Sequence, residues 1–326
     1  MRNAIGTGLR DAIVVSLTET KKAAIDLQTS APTPPGRGWN AAEDPQAMAA
    51  MRDAWRRMRA SFELYSAAMV VLFPDVMRGA SATYDQALGS GDGDAFDDQG
   101  VVGMHAVERI LYSDAIPARV VDFEKGLPGF APAAFPSNAQ QASDFKTKLC
   151  ARLVADIARL EKEWSAVDLD FGGAFLLLVA LLQDQRIEME EAALRKEESR
   201  YAQTTLAELR TSLEGTRRAY AFFKPLLLEK RSADEKTDGA KKSESVEVAL
   251  GALGAVYASQ PGDALPELPP KWAATGSLTA SELETPFAII YRRVQAAADA
   301  TVDGALADEL NDMIEILGFP ELRAAE

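Results

Sequence analysis

Residues 45–74 read PQAMAAMRDAWRRMRASFELYSAAMVVLFP, and their spacing decides the fold class. Met48, Met51, Trp55, Met58, Phe62, Tyr65, Met69 and Leu72 recur in steps of three and four. That period lines one face of an α-helix. Asp44-Pro45 reads as an N-cap followed by proline at the first helical position, and Pro74 is expected to stop the helix. A methionine-rich stripe of this kind reads as core filling rather than a ligand box.

The same period recurs on either side. Ile5, Leu9, Ile13, Leu17 and Ala24 predict a first helix over 5–27, ended by the Pro- and Gly-rich run 31–36. Phe145, Leu149, Leu153, Ile157, Leu160 and Trp164 form the stripe of another. Further helices are expected over 171–194, 204–228, 246–257, 285–294 and 303–317, the last ended by Gly318. Residues 115–140, 231–245 and 260–280 read as loops. No stretch shows strand alternation. The expected fold is all-α, built of long antiparallel helices.

Composition narrows the function. The 326 residues suffice for one large domain or two ordinary ones. A net charge of −14 without a basic patch argues against a nucleic-acid partner. A single cysteine, Cys150, excludes an intrachain disulfide framework, and nothing marks it as a nucleophile. The most apolar run, Ala174 to Leu182, is too short to span a bilayer, so no transmembrane segment is expected. Residues 1–30 lack the apolar centre of a signal peptide.

The only histidine, His105, lies in Gly103-Met104-His105-Ala106-Val107-Glu108. Residues three apart share a helix face, so His105 and Glu108 could hold one ion or form a buried pair. Their helix is expected to carry Val101, His105, Glu108 and Tyr112 on one stripe, with Asp97 or Asp98 as its cap. The Gly- and Asp-rich stretch 89–100 reads as a flexible loop, because it lacks the ligand order of a calcium loop. The acidic runs Glu188, Glu190, Glu191 and Glu197, Glu198 read as solvated faces. There is no Gly-x-Ser-x-Gly elbow, P-loop, dinucleotide fingerprint or His-Glu-x-x-His pair.

The run Gly103 to Tyr112 resembles the Gly-x-His-x-x-Glu signature of the imelysin-like family, bacterial exported helical proteins that include an iron-uptake component. Glu197-Glu198-Ser199-Arg200-Tyr201-Ala202-Gln203-Thr204-Thr205-Leu206, followed by Leu213-Glu214-Gly215, resembles its second motif region. Trp55, Arg59 and Phe62, then Phe73-Pro74-Asp75, resemble its early helix. The resemblance implies two packed helical bundles, taken here as residues 1–165 and 166–326, with a site in the cleft between them. It implies a periplasmic or cell-surface location, a role in iron or other metal uptake, and a membrane transport partner. The family also carries a peptidase label, for which no complete hydrolytic site is visible.

The chain departs from the family pattern. Ser66 stands where the early helix commonly has Glu, Gln203 where the iron-uptake branch has His, and Thr205 and Ser212 where Asp and Asn are usual. The remaining candidate metal ligands are His105, Glu108, Glu63, Glu197 and Glu198. A hard ferric or divalent ion accepts such a set. Three readings stay open: an exported metal-binding protein, a degenerate scaffold holding a small ligand or partner in the cleft, and a metallopeptidase.

Overall fold

The computed structural model describes residues 1–82, 95–234, 237–269, 272 and 280–319. Among these residues every regular element is helical, as expected for an all-α fold. The longer helices are α1 (Arg2–Ser30), α2 (Pro45–Glu63), α8 (Cys150–Ser165), α9 (Phe171–Ala193), α10 (Thr205–Leu228) and α11 (Gly239–Ala258). Between them lie α3 (Ser66–Leu72), α4 (Pro74–Ser81), α5 (Met104–Leu111), α6 (Ala118–Glu124) and α7 (Ala139–Asp144). The short α12 (Ala280–Leu283), then α13 (Pro286–Ala297) and α14 (Leu306–Leu317), end the described chain. No described helix is long and apolar enough to cross a membrane.

Helix α1 packs chiefly on α2 and α8, through the stripe Ile5, Leu9, Ile13, Leu17 and Ala24. Helices α10 and α11 pair with each other, and α14 lies on α11. The two groups meet where α9 touches α1 and α3, and where α10 touches α2. Burial of these stripes supplies the main driving force, at about 25 cal/mol per Å² of apolar surface.

Several expectations from the sequence are corrected. The stripe over 45–74 is not one helix. It breaks at Leu64-Tyr65, and Pro74 opens α4 instead of ending a helix. The break coincides with a close approach, because a Cβ added to Gly215 of α10 would lie 1.7 Å from the Leu64 carbonyl oxygen. Asp44 precedes Pro45 as expected, but its carboxylate serves Arg37 and the Asn40 amide instead of capping α2.

The motif helix starts late. Asp97 accepts a local hydrogen bond from the Gln99 amide at 2.8 Å and caps nothing, and Asp98 lies equally far outside the helix. Helix α5 begins at Met104, after Gly103 at φ +94°. A Cβ at Gly103 would lie 2.7 Å from the Ala80 carbonyl oxygen, so the motif glycine meets both a steric and a conformational demand. Residues 89–94 of the expected flexible loop lie outside the described residues.

Two expected loops contain helix. Residues 115–140 include α6, which follows Pro117. Residues 231–245 include the first turns of α11, because Asp238 caps it by accepting from the amides of Ala240 and Lys241.

Candidate functional site

Helix α2 fixes the motif helix at both ends. Trp55 Nε1 donates to the Met104 carbonyl at 3.0 Å, and Arg52 donates twice to the Leu111 carbonyl at 2.9 and 2.7 Å. All eight residues of α5 are buried. His105 is therefore an interior side chain.

The His105 ring is held on both sides. Nδ1 lies 2.8 Å from Glu108 Oε2, and Nε2 lies 3.2 Å from Glu198 Oε1. The second Glu108 oxygen, Oε1, accepts from the backbone amides of Tyr201 and Ala202 at 2.9 and 2.8 Å. The second motif region thus grips the first through main chain. Burial disfavours the imidazolium, but the hydrogen bonds to Glu108 and Glu198 outweigh it and raise the His105 pKa. Glu108 reaches the imidazole through the i,i+3 spacing, and Glu198 of the second motif region reaches it from across the fold.

Glu198 also faces a buried guanidinium. Arg59 lies 2.6 Å from Glu63, 3.2 Å from Glu198 and 3.1 Å from Glu208. Glu208 further accepts from Ser199 and Thr204 at 2.5 and 3.0 Å. Burial works against ionised Glu198, yet Arg59 and then His105 hold its pKa down at about 2.

Two acids of α9 complete the group. Asp184 accepts from the Ser66 hydroxyl at 3.0 Å, and Ser66 also lies 3.3 Å from Glu63. Burial, with Glu198 adding to it, pushes Asp184 up to about 7. Glu188 is 7% exposed, and neither of its carboxylate oxygens has a hydrogen-bond partner among the described residues. One oxygen each from Glu63, Glu188 and Glu198 lies within 4.8 Å of the others. Burial raises Glu63 and Glu188 well above the usual carboxylate range. A cleft of about 430 Å³ opens beside the group, with Ser66, Ser81, Asp184 and Glu198 on its wall.

Of the candidate ligands, His105, Glu108, Glu63 and Glu198 are brought together. Glu197 points to other partners, Arg119 at 2.7 Å and Gln203 at 3.3 Å. The expected solvated faces are corrected, because Glu188 and Glu197 are both buried. Asp184, Glu188 and Glu208 are additions: Glu188 was concealed in an acidic run, and Asp184 and Glu208 stand outside both runs. Glu188 follows Leu181 by seven residues and Gln185 by three, so it continues a buried stripe. That position was the available signal. Cys150 is buried and its thiol pKa is pushed up, which fits an inert core side chain.

Six carboxyl groups (Glu63, Glu108, Asp184, Glu188, Glu198 and Glu208) thus share this interior with two basic side chains, Arg59 and His105. An excess of buried acid either takes up protons or attracts a cation. Oxygen donors with one imidazole suit a hard or borderline metal ion.

A family model described as Imelysin matches residues 14–266, a span that contains every residue of this group. No curated protein matches the chain. Among solved structures, the chain is similar to the crystal structure of an imelysin-like protein from Psychrobacter arcticum 273-4. That likeness has a TM-score of 0.58 at 13% identity, over 97% of this chain and 95% of that one. At such identity it is a likeness of fold.

Proposed function

The chain belongs to the imelysin family, and we propose that it binds a metal cation as cargo in the acidic interior around His105 and Glu198. The observation that carries this reading is the surplus of buried carboxyls over Arg59 and His105. Glu108 spends both oxygens on the His105 ring and on two amides, so it orients the imidazole, whose Nε2 positions Glu198 to meet the ion. Ser66 lacks the carboxylate that the family commonly carries there, but its hydroxyl touches Asp184 and Glu63, which supply acid at the same place.

The biological reading that accompanies this is an exported protein of the periplasm or cell surface, serving iron or other metal uptake and handing its ion to a membrane transport partner. The residues come from both sides of position 165, which supports a division into parts 1–165 and 166–326 with the site in the cleft between them.

Calorimetric titration with ferric citrate, ferrous, manganous and zinc ions tests the reading on protein carrying no histidine tag. The wild type should bind one ion per chain, and His105→Ala should weaken binding at least ~10-fold, the scale seen when one good ligand or its support is lost. Binding that is identical in both proteins would contradict the role of His105.

One observation favours a second reading. Arg59 already faces Glu63, Glu198 and Glu208, as an internal counter-ion would. In that reading the scaffold holds no metal, and the 430 Å³ cleft takes a small organic ligand.

A further inference from the structure

Helix α9 contributes a side chain that neither motif contains. Glu188 is buried, its oxygens have no hydrogen-bond partner among the described residues, and it sits among acids. The charges acting on it come from Glu63, Glu198, Asp184 and Glu208, all of the same sign. A carboxyl so placed is costly for a folded chain to retain, because an unpartnered buried polar group loses its water without regaining a hydrogen bond. Arg59 neutralises Glu63 and Glu198 from its own side and forms no ion pair with Glu188. Burial raises Glu188 well above the usual carboxylate range, so without an ion it holds a proton, and a bound cation would take that proton's place.

We propose that Glu188, Glu63 and Glu198 form a three-carboxylate seat for a hard, oxygen-seeking cation, with Glu188 as the ligand that completes it. The seat rests on the metal-binding reading above and specifies where the ion sits and which class it belongs to. Oxygen ligands lie about 2.0–2.6 Å from such ions, so one ion can touch oxygens separated by roughly twice that distance. The three oxygens here lie within 4.8 Å of one another. They come from different places: Glu63 ends α2, Glu188 lies in α9, and Glu198 stands in the turn that begins the second motif region. An ion in the seat therefore ties the end of α2 to the segment 188–198, more than a hundred residues away in sequence. Carboxylates favour manganese, calcium, magnesium or ferric ions over copper(I) and other soft ions. His105 then acts mainly by fixing Glu198 through Nε2, at the margin of the seat.

The test compares wild type, Glu188→Gln and His105→Ala by calorimetric titration with Mn²⁺ and Zn²⁺, with Mn²⁺ paramagnetic resonance as a second readout. Glu188→Gln keeps the side chain's size and removes its charge. Glu188→Met replaces the carboxyl with an apolar group and serves should the amide disturb folding. The expected result is at least 10-fold tighter Mn²⁺ binding by wild type than by either Glu188 variant and a loss of the bound-Mn²⁺ signal in both, with His105→Ala weakened as well because Glu198 loses its support. If wild type binds Mn²⁺ and both Glu188 variants bind it equally well, the seat is wrong and the metal-binding reading survives. If wild type binds no ion, both fall together.

Discussion

His105 Nδ1 lies 2.8 Å from Glu108 Oε2, and this one contact joins the two ends of the family signature inside the protein. Its strength comes from what lies behind it. Glu108 is fixed by the amides of Tyr201 and Ala202, so the imidazole is aimed by the main chain of the second motif region.

Removing Glu108 should therefore cost more than removing an ordinary buried acid. Glu108→Ala leaves two amides and a ring N–H without their acceptor, and each lost partner costs about 1–3 kcal/mol. Urea denaturation should show a loss of at least about 3 kcal/mol. Glu108→Gln, which keeps the shape and one acceptor oxygen, should lose less. Equal stability in all three proteins would show that this carboxylate is not the anchor described.

Two glycines should resist substitution for different reasons. Gly215→Ala drives a methyl into the Leu64 carbonyl, 1.7 Å away, and should destabilise by about 1–3 kcal/mol or more as the helices part. Gly103→Ala adds unfavourable backbone geometry at φ +94° to a clash with Ala80. Gly251→Ala, with open space around its Cβ position, is the control and should be neutral or slightly stabilising. Thermal melts of the three variants decide the matter.

The stripe over 45–74 and the all-α class were legible because buried methionines and aromatics at three-and-four spacing leave few alternatives. The break at Leu64-Tyr65 was not, because it depends on α10 approaching from more than a hundred residues away through Gly215. His105, Glu108, Glu63 and Glu198 could be named from spacing and family resemblance. Glu188 could not, since an acidic run looks the same whether it faces water or the interior, and Asp184 is a single acid between two glutamines that no motif marks. The start of α11 at Gly239 is hidden in the sequence because Lys241 and Lys242 look like loop charges. Lys242 instead reaches Glu309 and Asp312 of α14.

That last contact yields a prediction of its own. Lys242 is largely buried and ties the start of α11 to α14. Lys242→Met keeps the apolar stem and strands the Glu309 carboxylate, so stability should fall by about 1–3 kcal/mol. Lys242→Met combined with Glu309→Gln should recover part of the loss. A double variant as unstable as the sum of the two singles would rule out coupling between them.

Stability without metal should depend on pH in a particular direction. Asp184 titrates at about 7 in the folded protein, against an ordinary value of 3.8. The native state therefore holds a proton that the unfolded chain has released between these values. Its contribution is complete below about 3.8 and is lost as pH rises through about 7. Across that window this group alone gives a decline of at most about 1.4 kcal/mol per pH unit. Chemical denaturation of metal-free protein at pH 5, 6 and 7 should show this decline, and Asp184→Asn should flatten it. A wild-type stability that rises over the window, with no change in Asp184→Asn, would contradict the buried acid described.

The most direct measurement is the metal content of tag-free protein, followed by calorimetric titration of the stripped protein with manganous and ferric ions. Binding of one ion per chain, with a melting temperature raised by the ion, is the predicted result. A chain that carries no metal, releases no heat with any ion and melts at the same temperature throughout would contradict the account. It would leave Arg59 as the permanent counter-ion of this acidic interior.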